Sequence, residues 1–198
     1  FYLGEHTLIG KCNVSQNLLQ ATPLYTEMAR IPLIIRMPGF EPARLDSLVQ
    51  PTDIMPTLLD LAGVKDPGTM HGKSLLPLIR DEVEAIRDVS VSSWAITQDI
   101  SSGRRSTISD GRWILVYGGL AEGRPKGTTS VVDSVRREEH AYMPGTEPEL
   151  YDLSSDPCQE RNVFEDESEK ASCLHEKYVE LLRRVGTADR YLRTRLKL

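Results

Sequence analysis

The chain has 198 residues, 39% of them hydrophobic and 27% charged, with a formal net charge of −5. That length can bury a substantial core, as one large domain or two small ones, and the acidic balance excludes a general nucleic-acid binder. No apolar run approaches the ~20 residues of a membrane-crossing helix, which excludes a helical span within this stretch.

In chain order, Phe1-Tyr2-Leu3-Gly4-Glu5-His6 has no initiator Met, basic region or apolar leader, so the sequence reads as a fragment or processed piece. Residues 1–16 show little periodicity and read as a loop. A short helix is expected over Pro23 to Arg30, with Pro23 suited to a first turn. Ile31-Pro32-Leu33-Ile34-Ile35-Arg36 then reads as a strand buried on both faces, and Leu48 to Pro51 as a second short strand. Thr52 or Asp53 can cap a helix carrying Met55, Leu58, Leu59 and Ala62, with Pro56 in its first turn and Gly63 as its stop. Ser74 to Arg80 reads as one more short helical piece.

The pattern changes near residue 88. Val89-Ser90-Val91-Ser92 alternates in period two, and residues 105–109 and 112–117 flank Asp110-Gly111, the signal of a β-hairpin. Residues 118–148 are rich in Gly, Pro, Thr and charge and read as a long loop. Glu149 to Leu153 is a further strand. A helix over about 166–185 carries Ala171, Leu174, Tyr178, Leu181, Leu182 and Val185 on one stripe, with Arg183 and Arg184 before Gly186. The tail with Arg190, Arg193, Arg195 and Lys197 reads as solvated. Cys158 and Cys173 can pair in an oxidising compartment, leaving Cys12 free, and three reduced thiols fit equally. The sequon at Asn13 carries little weight.

Several segments, in order, resemble the sulfatase family of the alkaline phosphatase superfamily. They are Leu3-Gly4-Glu5-His6 with Gly10-Lys11, the run from Pro23 to Ile35, Thr52 to Gly63, Gly72 to Leu78, and Glu149 to Leu153 with Asp156-Pro157 and Glu160-Arg161-Asn162. The resemblance implies an α/β fold in which residues 1–85 form the C-terminal end of a mostly parallel core sheet. Residues 86–198 would then form a small antiparallel sheet covered by the long C-terminal helix. It also implies hydrolysis of an aryl or sugar sulfate ester by a formylglycine nucleophile beside Ca²⁺ or another divalent cation. The chain has no Cys-x-Pro-x-Arg or Ser-x-Pro-x-Arg segment, so the nucleophile and metal ligands are expected upstream of Phe1, with no metal ligand in this chain.

One catalytic residue carries over by resemblance. Lys11 stands where such sulfatases keep a lysine on the sulfate, and a fixed ammonium stabilises the charge that moves onto the leaving oxygen. The insertion from Cys12 to Ala21 departs from the family pattern. His6 and His140 are further candidates for lining the substrate pocket, with loop bracing and a solvated charged loop as their respective alternatives. His71 and His175 read as surface residues, and Trp94 and Trp113 as core. The expected partners are a sulfate ester and either the N-terminal sulfatase portion or a second copy of the chain. A phosphonate or phosphate monoester hydrolase of the same superfamily and a non-catalytic truncated fragment are the alternatives. The resemblance fits a secreted, periplasmic or lysosomal setting, with a cytoplasmic one left open.

Overall fold

The computed structural model describes residues 2–10, 23–93, 105–118 and 147–198. They fall into two units, one from Phe1–Ile31 with Val91–Leu198 and the other from Pro32–Ser90.

The first unit is built on an antiparallel sheet of β3 (Ser90–Ser93), β4 (Ser106–Ser109), β5 (Trp113–Tyr117) and β6 (Glu149–Asp152), in that order. Local chemistry makes the central hairpin. Asp110 Oδ1 accepts the backbone N–H groups of Arg112 (3.0 Å) and Trp113 (2.7 Å), and Gly111 takes φ 99°, where a side chain would be strained. The register pairs Thr107 with Val116 and Ile108 with Leu115, and on the other edge Leu115 with Leu150 and Val116 with Glu149. Arg112 grips Asp152 through Nε (3.0 Å) and Nη2 (2.8 Å), a bidentate tie from the start of β5 to the end of β6.

Paired residues share a face, so this register sorts the sheet into two sides. Ser106, Ile108, Leu115, Tyr117 and Leu150 share the side covered by the long helix α4 (Ser168–Arg184); Tyr117 meets His175 and Tyr178 edge-on, and Ser106 Oγ lies 3.2 Å from the Tyr178 hydroxyl. Thr107, Ile114, Val116, Glu149 and Tyr151 share the other side, where Tyr2 and Tyr25 complete a buried cluster.

Beyond α4 the chain departs from expectation. Of the basic tail, Arg190, Arg193 and Lys197 are exposed as expected, but the chain also folds there: α5 (Asp189–Leu192) and a 3₁₀ turn at Arg193–Arg195 follow, and Arg195 is only 4% exposed. Its guanidinium donates to Tyr191 O (2.9 Å) and Thr194 Oγ1 (3.0 Å), and Tyr117 donates its hydroxyl to Lys197 O. His175, expected at the surface, is buried, with Nε2 2.9 Å from Arg195 O. Cys158 and Cys173 are separate, exposed thiols. His71 is exposed as expected, and Trp113 is half-buried beneath the Arg112 guanidinium, 5.2 Å from its ring. Trp94, Asn13, Cys12 and most of the expected loop at 118–148 lie outside the described residues.

The second unit contains a 3₁₀ turn at Pro51–Asp53 running into α2 (Ile54–Leu61), and α3 (Leu76–Ile79). Asp53, fully buried, organises it: Oδ2 accepts Gln50 N (2.7 Å), while Oδ1 accepts Lys73 N (2.9 Å) and the Arg87 guanidinium. Thr57 Oγ1 donates to Asp53 O (2.6 Å) and accepts Leu75 N (2.9 Å), joining the two helices. Gly72 passes so close to the Thr52 carbonyl that a Cβ would lie 1.9 Å from its oxygen, so only glycine fits.

The strands expected at Ile31–Arg36 and Leu48–Pro51 do not form. Among the described residues no strand lies beside either segment to take its backbone groups, and without a partner an apolar run has no reason to hold a ladder. The first stands open, with Ile31 61% and Ile34 92% exposed. The class is mixed α/β, with the small antiparallel sheet and the long C-terminal helix that were expected.

Candidate functional site

Residues 2–10, the described part of the expected loop, form a small hairpin. β1 (Tyr2–Leu3) pairs antiparallel with β2 (Ile9–Gly10), across Gly4 at φ 133° and a 3₁₀ turn at Glu5–Thr7. Glu5 Oε2 accepts Leu3 N (2.6 Å), and this backbone hydrogen bond holds the Glu5 carboxyl below its ordinary range. His6 occupies the left-handed region at φ 52°. That conformation is uncommon in a residue with a side chain, and packing around the ring holds it here.

That hold comes from Tyr25, which stands immediately before the short helix α1 (Thr26–Ala29). The His6 ring stacks on the Tyr25 ring with centroids 3.8 Å apart and planes 22° from parallel, and its Nε2 lies 3.6 Å from Glu27 Oε1. Tyr2 contributes from the first strand, its hydroxyl donating to Pro23 O (2.6 Å) and accepting Tyr25 N (2.9 Å). Burial pushes the Tyr2 phenol up to about 12.

Tyr25 is in turn fastened to the sheet. Its hydroxyl donates to Glu149 Oε2 (2.7 Å), and the Tyr151 hydroxyl donates to the same oxygen (2.8 Å). Arg105 Nη1 donates to Glu149 Oε1 (2.5 Å), and Nη2 reaches Glu147 O. Burial first, and then the Glu149 charge, raise both phenols well above their ordinary value, so each keeps its proton and donates it to the carboxylate. Two further ties flank the ring: Thr107 Oγ1 donates to Leu24 O (2.6 Å), and Thr26 N donates to Gln159 Oε1 (2.8 Å).

Of the residues singled out from sequence, His6 faces inward against the Tyr25 ring with its side chain 12% exposed. Lys11 and His140 lie outside the described residues; Lys11 follows Gly10, the last residue of β2. Sequence reasoning missed Tyr2, Tyr25, Arg105, Glu149 and Tyr151. One signal was available: in Glu149-Leu150-Tyr151 the period of two puts an acidic residue on the same inward face as a tyrosine. Among the described residues no three His, Cys, Asp or Glu side chains gather as ligands.

Comparison with known proteins extends this picture. Residues 18–116 match the family model described as N-sulphoglucosamine sulphohydrolase, C-terminal. The Delta 4,5-hexuronate-2-O-sulfatase of Bacteroides thetaiotaomicron is 30% identical over 147 residues, 72% of this chain and 26% of that protein. The extracellular sulfatase SULF-1 homolog of Drosophila melanogaster is 40% identical over 79 residues, 39% of this chain and 7% of that protein. A solved Bacteroides thetaiotaomicron sulfatase from a core locus of glycosaminoglycan metabolism shares the fold, with a TM-score of 0.51 at 23% identity over 76% of this chain and 30% of its own. The chain thus spans about a third or less of the length of the curated relatives compared with it.

Proposed function

Because the chain belongs to the sulfatase family, we propose that it supplies the C-terminal portion of a sulfuric ester hydrolase and brings Lys11 to the sulfate. The observation that carries this reading is the family match over residues 18–116, together with the motifs flanking it in family order. The ammonium of Lys11 would pair with the sulfate oxygens and stabilise charge on the leaving oxygen as the S–O bond breaks. His6 would brace the hairpin from which the chain enters Lys11, and His140 would reach the rim of the pocket. The formylglycine nucleophile and the Ca²⁺ or other divalent cation belong, in this reading, to other parts of the whole protein.

The name of the hexuronate relative supports a sulfated sugar as substrate, with aryl sulfates serving as reporters. The open apolar run at Ile31–Ile35 supports packing against further protein, either the rest of the enzyme or a second copy.

The test is Lys11→Ala in the complete enzyme, assayed on sulfated disaccharides and 4-nitrophenyl sulfate. The value of kcat/KM should fall by about 10²–10³, the usual loss when one preorganised charge donor is removed, with the thermal transition nearly unmoved. A change below about threefold would assign the sulfate to another residue.

A further inference from the structure

Two cationic stretches meet at the end of the long helix. α4 finishes on Arg183 and Arg184, and the chain then reverses: Gly186 takes φ 71°, its N–H donates to Arg183 O (3.0 Å), and Thr187 N donates to Leu182 O (2.9 Å). The tail beyond is fixed by Arg195 O, which lies 2.9 Å from His175 Nε2, and by Lys197 O, which accepts the Tyr117 hydroxyl. His175 stands nine residues before Arg184, so the tail returns along about 13 Å of α4, carrying Arg190 and Arg193 with it. Over residues 176–197 six cations that are at least partly exposed, Lys177, Arg183, Arg184, Arg190, Arg193 and Lys197, stand against three acids, Glu176, Glu180 and Asp189. The chain as a whole has the opposite balance, at −5.

Among the described residues Arg183, Arg184 and Arg190 have no ion-pair partner. The negative end of the α4 dipole accounts for Arg183 and Arg184 in its last turn, but Arg190 lies beyond the reversal. Its guanidinium instead lies over the Tyr191 ring, 4.7 Å from the centroid, which steadies the charge and covers that aromatic face.

Resting on the sulfated-sugar reading for the choice of ligand, we propose that the turn joining α4 to the tail binds the anionic chain of a sulfated polysaccharide through Arg183, Arg184 and Arg190. A guanidinium offers two parallel N–H groups to a pair of oxyanion oxygens, which suits a sulfate better than the point charge of a lysine. The backbone here is already folded, so binding orders little more than the side chains. On an otherwise acidic protein a polyanion is repelled from most of the surface and drawn to this turn. The turn presents charge without an open aromatic plane, whereas single-stranded nucleic acid is held by bases stacked on such planes.

The experiment titrates the complete enzyme with heparin across a salt series and compares a variant carrying Arg183→Gln, Arg184→Gln and Arg190→Gln. The triple variant should bind at least about tenfold more weakly, and the slope of log Kd against log salt should fall by about two to three, roughly one for each lost contact. All three side chains are exposed, so the thermal transition should be nearly unmoved. Lysines at the same three positions keep the charge without the fork and should recover most of the slope. Duplex DNA should bind at least about tenfold more weakly than heparin at the same salt; equal binding would make the turn a general polyanion surface and overturn the proposal. Unchanged heparin affinity in the glutamine variant would overturn it as well. Hydrolysis of 4-nitrophenyl sulfate by the wild-type enzyme reports separately on the hydrolase reading. Arginine-dependent heparin binding without turnover removes that reading and leaves the binding site standing, and turnover without such binding removes the site alone.

Discussion

At the scale of single residues, His175 shows how a polar side chain enters a core. It sits four residues after Ala171 and three before Tyr178, on the stripe α4 turns toward the sheet, and Nε2 meets the Arg195 carbonyl at 2.9 Å. Burial holds its pKa below the ordinary value; the Arg195 carbonyl and the Glu176 charge oppose that shift without cancelling it, and Tyr117 and Tyr178 supply neutral surroundings. A histidine whose folded pKa is depressed binds its proton more readily unfolded, so stability is lost as pH falls below the unfolded value of about 6.5 and is unchanged above it. The C-terminal turn should therefore loosen as the pH falls below about 6.5. Hydrogen exchange across residues 189–197, corrected for intrinsic rates, should show falling protection over that range, and His175→Phe should flatten the dependence. An equal pH response in both proteins would place the titration elsewhere.

At the scale of elements, α4 is held by burial more than by helix propensity. Its inward face of Ala171, Leu174, Tyr178 and Leu182 is buried, while Glu176 and Glu180 between them are exposed. Leu174, 2% exposed, lies on that inward face. Leu174→Ala removes buried apolar volume and leaves a cavity, which should cost about 2–5 kcal/mol by urea denaturation. Glu176→Ala, on the solvent side of the same turn, should stay within about 0.5 kcal/mol. Comparable losses at the two positions would mean that the helix does not pack as described.

At the scale of the whole molecule, the exposed apolar surface is the dominant property. Ile31, Leu33, Ile34 and Ile35 stand open along one segment, and Met55, Leu58 and Leu61 are each about half exposed on α2. Such surface favours association, whether with another part of the enzyme or with a second copy of the chain. The isolated chain should accordingly elute as oligomers or aggregates in size-exclusion chromatography with light scattering, and bind a dye that reports apolar surface. Replacing Ile31 and Ile34 with Lys should shift it toward monomer. A dilution-stable monomer with little dye binding would show that the chain covers this surface itself.

The sequence by itself determined what depends on near neighbours. Asp110-Gly111 specified the hairpin, Asp53 and Pro56 specified the start of α2, and a 3.6-residue stripe specified the long C-terminal helix. The order of short motifs likewise pointed to the sulfatase family. Ile31 to Arg36 shows the limit of composition: its residues suit a strand, but a strand exists only where another supplies hydrogen-bond partners. His175 lay on the legible stripe, yet its burial depended on a carbonyl 20 residues away that returns only when the tail folds back. The brace on His6 was least legible of all. Tyr25 and Glu149 are 124 residues apart and Arg105 and Glu149 are 44 apart, so no local period relates them. They meet because the register of β5 and β6 brings Glu149 to one face of the sheet, and only the tertiary fold lays the N-terminal hairpin over that same face.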